Sequence, residues 1–219
     1  MGLRTTATWR VLLWALLLLG SAGGGAPARA QVQDGATMTV LRGQVAVVRA
    51  DGSAVQPAPS GTVVRSGDEI RTLSQSGAVI TFFIGTEIEL GAETTLAVEQ
   101  VARDGDRIDI SLRQVFGVSL HRVQALADPA SSYRVEVGGA VAVVRGTDFL
   151  LYGPTDENVV GMVCLEDCTA QTTFAGCPMG PNIAYWLEVD RRQVVSACQP
   201  FTAKGDIWNA PSQLRLTHR

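Results

Sequence analysis

The chain has 219 residues, with 18 Lys and Arg against 21 Asp and Glu and a formal net charge of −3. Lys204 is its only lysine, so no basic stripe is available to release counterions from a phosphate backbone, and nucleic acid is not an expected partner. Hydrophobic residues make up 46% of it, enough for one domain with a real core.

Residues 1–30 hold Arg4 and Arg10 and no acidic residue, then an apolar run from Val11 to Leu19, then small residues ending in Ala28-Arg29-Ala30. This is the pattern of a secretory signal peptide, with the cut expected after Ala30. The run is shorter than the roughly 20 residues that span a bilayer, and no later segment is a candidate span. An uncleaved anchor is the alternative. The remaining 189 residues carry 15 basic and 21 acidic side chains, a net −6. They are expected to be soluble and extracytoplasmic: periplasmic, on the cell surface or secreted.

From residue 31 on, apolar positions recur with period two in short runs bounded by Gly, Asp, Ser or Pro. The runs cover 45–50, 61–67, 68–73, 78–84, 86–90, 94–101, 106–112, 117–123, 133–138, 140–144 and 148–152. Each suits a strand and is too short for a helix, and β-branched residues dominate them. The expected fold is all-β, with short strands stacked in two layers, as a β-sandwich or a short two-faced coil like a β-helix. Asp104-Gly105 predicts a type I′ hairpin turn. Asp104, Asp106 and Asp109 also offer oxygens to calcium, but without the further ligands of a dedicated loop, so the turn is preferred.

A β-domain is expected over 31–152 and an extension with a polar tail over 153–219. All four cysteines, Cys164, Cys168, Cys177 and Cys198, lie in the extension. In an exported chain they read as two disulfides with three possible pairings. Zinc is disfavoured, because the spacing lacks close C-x2-C pairs and no histidine lies nearby. Alternation fails between Cys164 and Asn182, which reads as a disulfide-stabilised loop, and 187–197 reads as two strands about a turn. Phe174, Met179, Tyr185 and Trp186 are a possible binding surface on that loop and just after it, or else a cover for one end of the sheets.

Few residues invite catalysis. Ser119 and His121 stand two apart on one strand and face the same way, but the nucleophile-elbow pattern is absent. The pair is expected on an exposed strand face. Glu87, Glu89, Glu93 and Glu99 could supply a glycosidase pair, yet Glu87 and Glu89 alternate with Ile88 and Leu90 as on the wet face of a sheet. No catalytic residue, cofactor or metal site is expected.

Five stretches, GQVAVV (43–48), SGDEIRT (66–72), GAVITFFIGTEIEL (77–90), GVSLHRV (117–123) and YRVEVGGAVAVVRGTDFLL (133–151), occur in this order behind the signal-like segment. In that order the chain resembles the FecR-like domain family of bacterial extracytoplasmic proteins. The resemblance implies that Gly67, Asp68, Arg145, Gly146 and Thr147 are family landmarks. Physically they look like corners, where Gly146 turns the backbone, Asp68 and Thr147 bond nearby backbone groups, and Arg145 reaches carbonyls or a carboxylate such as Asp68. Members of the family sense an outer-membrane iron transporter and relay its state to a sigma factor through a cytoplasmic N-terminal part. Here no such part precedes the apolar run. The expectation is an exported, non-enzymatic binding or signalling module for an envelope or extracellular protein or glycan. A structural cell-surface role, or a carbohydrate-active enzyme, is the alternative.

Overall fold

Val, Ile and Thr at every second position send one row of side chains inward and the next outward. A computed structural model describes residues 35–153, 159–166, 173–175, 177–178, 184–190, 193–194 and 199–201. The strands are β1 (Ala36–Arg42), β2 (Val45–Val48), β3 (Ala54–Val55), β4 (Thr62–Val64), β5 (Glu69–Thr72), β6 (Gly77–Thr81), β7 (Glu87–Leu90), β8 (Thr95–Asp104), β9 (Arg107–Phe116) and β10 (Val118–Val123). They continue as β11 (Ser132–Val137), β12 (Ala140–Val144), β13 (Thr147–Tyr152), β14 (Val159–Glu166), β15 (Thr173–Phe174), β16 (Cys177–Pro178), β17 (Ala184–Asp190), β18 (Gln193–Val194) and β19 (Gln199–Phe201).

Two sheets result. The first runs β18-β17-β14-β13-β10-β7-β6-β1-β4, with β19 also on β17. The second runs β16-β15-β12-β11-β9-β8-β5-β2-β3. Pairing is antiparallel except between β9 and β11. From β5 onward the chain deals strands to the two sheets in turn: β6 and β7 to the first, β8 and β9 to the second, β10 to the first, β11 and β12 to the second. Both sheets therefore lengthen in the same direction along the sequence, which is the expected two-layer stack. Ile70, Ile80, Ile88, Leu96, Ile110, Leu112, Val135 and Phe149 fill the space between them.

The structure corrects several boundaries. ATMTVLR (β1) was not among the expected runs, although Ala36 and Met38 are buried while Thr37 and Thr39 are exposed. VVGMVCLE (β14) also escaped, because residues 159–164 are buried throughout and show no alternation. The run expected over 78–84 stops at Thr81, and Phe83–Gly85 makes a 3-10 turn. The β8–β9 hairpin closes with Asp104 opposite Arg107, so Gly105 and Asp106 are its central residues. Only Gly105 has positive φ, 60°, which is a type II′ pattern instead of the expected I′. Asp109 accepts from Arg107 and Ser132, so its carboxylate serves strand contacts.

No break in the sheets falls at residue 152: β14 pairs with β13, β15 with β12 and β17 with β14. Residues 31–219 form one compact unit. Cys164 and Cys177 are buried. Cys168, Cys198, Met179 and the segment 1–30 lie outside the described residues.

Candidate functional site

β10 turns Ser119 and His121 into the core, with Ile88 of β7 and Phe149 of β13 facing His121 in register. Both residues are fully buried, which corrects the expected exposed face. From the second sheet, β9 contributes Gln114 and β11 contributes Tyr133, each 1% exposed or less. Gln114 Nε2 donates to the carbonyls of Gly117 and Gly153, at 2.9 and 3.2 Å. Its Oε1 then accepts from the Ser119 hydroxyl. That hydroxyl has no second proton, so at 2.7 Å it accepts from His121 Nε2–H. His121 Nδ1 is left bare and accepts from the Tyr133 hydroxyl at 2.6 Å. Tyr133, His121, Ser119 and Gln114 thus form one directed chain that ends on two main-chain carbonyls.

The imidazole also lies flat on Phe149, with ring centroids 4.5 Å apart and planes 4° apart, and Tyr133 meets it edge-on. Burial pushes its pKa down to about 3 and that of Tyr133 well up, because no nearby charge offsets desolvation of the ionised forms. The Ser119–His121 pair is not arranged as nucleophile and base. The serine proton points to Gln114, the nitrogen facing serine already carries a proton, and no solvent reaches either group.

A pH dependence follows. Neutral His121 in the fold and an ordinary imidazole in the unfolded chain mean that only the unfolded state takes up a proton below about pH 6.5. The stabilisation is complete above that pH. It is lost as pH falls toward about 3, at up to roughly 1.4 kcal/mol per pH unit. Urea midpoints of wild type and His121→Phe, measured from pH 7 to 4, are expected to converge and then cross at about pH 5, where the lost stabilisation matches the roughly 2 kcal/mol that separates the two at pH 7. Parallel curves would show that His121 does not carry the dependence.

The residues expected as landmarks lie at or beside turns and strand ends. Gly67 has φ 88°, and a Cβ there would lie 2.8 Å from Ala50 Cβ. Buried Asp68 accepts from Arg49 Nη1 at 2.7 Å and from the Arg65 N–H at 2.9 Å. The Arg49 guanidinium also donates to the Val63 carbonyl. One carboxylate therefore ties the β2–β3 turn to the β4–β5 turn. Arg49, and not Arg145, is its partner, which corrects the suggested Arg145–Asp68 contact. Arg145 instead donates to the carbonyls of Asp128, Pro129 and Ser131. Gly146 has φ 132°, and a Cβ there would meet Ala125 Cα at 2.7 Å. Thr147 is buried beside Cys164, with Oγ1 and Sγ 3.9 Å apart.

The other expected sites disperse. Glu89 pairs with Arg122 across β7 and β10, and Glu99 pairs with Arg113 across β8 and β9. Glu87 shares a face with Glu89, and Glu93 sits in a turn with φ 51°. No two of them face each other across a cleft. Phe174 is 0% exposed, so it is not a binding surface. It pairs with Ala142, whose small side chain leaves room for the ring in the core. Tyr185 and Trp186 lie on β17, in register with Met162 and Gly161.

An open face lies on the second sheet. Arg113 stands beside Glu136, and Glu136 beside Val141; Arg134 stands beside Val143. Val141 and Val143 are 36% and 40% exposed, and Val115, further along β9, is 36% exposed. Apolar and charged side chains are interleaved here on rigid central strands.

Residues 68–166 match the family model described as FecR protein. Over that stretch the chain is similar to a FecR domain. The matched stretch runs from Asp68 at the head of β5 to Glu166 at the end of β14, and it holds the whole Tyr133–His121–Ser119–Gln114 chain and the Arg145–Thr147 corner. No curated protein matches the chain. Two crystal structures of a candidate anti-sigma factor from Parabacteroides distasonis are similar, each 14% identical, with TM-scores of 0.46 and 0.45. They align over 67% of this chain and 63% and 64% of their own. The chain thus spans less than two thirds of their length.

Proposed function

We propose that this FecR domain is an exported, non-enzymatic binding module of a signalling system, whose partner is an envelope or extracellular protein or glycan. The observation that carries the reading is where the polar chemistry lies. The one serine–histidine pair the sequence offered is closed inside the core, and its donors and acceptors are spent on each other. The open surface of β9, β11 and β12 mixes Val115, Val141 and Val143 with Arg113, Arg134 and Glu136, a composition suited to a partner's surface. The FecR match supports a signalling role. In this reading the four cysteines form two disulfides that hold the extension against the sheets, which is supported by the lack of a free cysteine among the described residues.

Val143→Asp tests the face. The side chain is 40% exposed, so the change is expected to leave the thermal midpoint within a few degrees, since surface substitutions shift stability by about 0.5 kcal/mol. Immobilised wild-type protein should retain a saturable ligand from solubilised envelope and secreted material, and the variant should retain at least about tenfold less, equivalent to roughly 1.4 kcal/mol. Mass spectrometry and glycan analysis tell the two partner classes apart. Equal retention by both proteins would remove this face from the reading, and no saturable ligand would remove binding itself.

A further inference from the structure

On the outer face of the second sheet the charges are mostly spent within the chain. Glu69 pairs with Arg71, Asp109 with Arg107 and Glu99 with Arg113. Arg134 and Glu136 of β11 differ. Among the described residues, neither side chain makes an ion pair or a hydrogen bond. They stand two apart on one strand, as Glu69–Arg71 and Arg107–Asp109 do, yet those pairs close on themselves and this one stays open. Arg134 is exposed and Glu136 half-buried.

β11 lies inside the sheet, between β9 and β12. Across these three strands one outward row is Arg113, Glu136 and Val141, and the next is Ser111, Arg134 and Val143. Between them runs the inward row Leu112, Val135 and Ala142. A two-fold axis laid over that inward row, in the plane of the face, turns each outward row onto the other. Such an axis makes a face complementary to itself. Arg134 of one copy then meets Glu136 of the second, Glu136 meets Arg134, and Val141 meets Val143. Sheets packed face to face lie about 10 Å apart, a gap that Arg and Glu side chains span and that valines from both sides fill. Net charge favours the same occupant. The four acidic and four basic side chains named on this face cancel, while residues 31–219 together carry −6. Two copies therefore repel one another less here than across an average part of their surface, and no net field steers a strongly charged partner to this face.

We propose that the β9–β11–β12 face pairs with a second copy of this chain about that axis. The proposal rests on the reading that this face takes a protein, and it names that protein as the chain itself. Three strands offer less than the roughly 800 Å² per partner of a standard interface, so the dimer is expected to be weak, with a dissociation constant on the order of micromolar.

Charge reversal tests it, read by sedimentation equilibrium of the purified full chain with no envelope material present. Wild type is expected to show a monomer–dimer equilibrium. R134E and E136R, each alone, set like charges against each other in the pair and should weaken it at least about tenfold. Mixed in equal amounts, the two variants become complementary, and association should return to within about threefold of wild type. Both changes are at the surface, so each variant should keep the wild-type thermal midpoint within a few degrees. A wild type that stays monomeric at about 1 mM, single variants that associate as wild type does, or a mixture that stays monomeric would each overturn the second copy. The face itself is judged apart from this, by the loss of an envelope ligand on Val143→Asp: a monomeric wild type whose ligand that change removes would retain the face and discard the dimer.

Discussion

Replacing His121 with alanine is expected to lower the unfolding free energy by about 4 kcal/mol, which for a unit of this size is a fall in Tm of roughly 10 °C. Two losses add. The imidazole is stacked on Phe149 and enclosed by Tyr133, so its removal leaves a cavity that two rigid sheets collapse around poorly. The Tyr133 hydroxyl also loses its acceptor and the Ser119 hydroxyl its donor, in a place no water reaches. His121→Phe restores the volume and leaves the polar groups orphaned, so about half of the loss should return. Urea midpoints for the pair separate the two contributions. A His121→Ala change under about 1 kcal/mol would mean that the polar chain does not hold the sheets together.

Asp68→Ala is expected to cost about 3 kcal/mol. It removes the charge-assisted bond from Arg49 and the bond from the Arg65 N–H. Arg49 keeps only the Val63 carbonyl, and its side chain is 24% exposed, so solvent softens the loss without cancelling it. Asp68→Asn keeps an acceptor for the Arg65 N–H and should lose about half as much. A double-mutant cycle with Arg49→Ala checks the assignment: the pair should show a coupling of about 1 kcal/mol or more. Additivity would mean that Asp68 acts through Arg65 alone.

Much of this was legible in the sequence, because strand alternation is a local signal. The runs at 45–50, 68–73, 86–90, 94–101, 117–123, 133–138 and 140–144 each became a strand to within a few residues. Gly67 and Gly146 have positive φ and close neighbours, a setting that leaves glycine little competition. What failed was non-local. β14 is buried on both faces, and only its neighbours explain why it does not alternate. The partner of Asp68 is 19 residues away in sequence, across a turn whose geometry is set by the sheets. Phe174 looks like a loop aromatic until Ala142 is placed opposite it.

The polar chain left a trace that could have been read. In RIDISLRQVF the inward positions are Ile108, Ile110, Leu112 and then Gln114. A glutamine in phase with core residues asks for buried partners. The same reading of GVSLHRV puts Ser119 and His121 in phase with Val123 and so inward. The exposed-face expectation failed because polarity was weighed above phase.

The most direct test of the account is the state of the His121 ring in solution, read by ¹⁵N chemical shifts of labelled protein across pH 7.5 to 4. The account predicts a neutral ring protonated at Nε2 with bare Nδ1, unchanged over the whole range. A ring that titrates near its ordinary value of about 6.5, or one protonated at Nδ1, would contradict it. Either result would open the Ser119–His121 pair to solvent or to proton transfer, and with it the question of chemistry at that site.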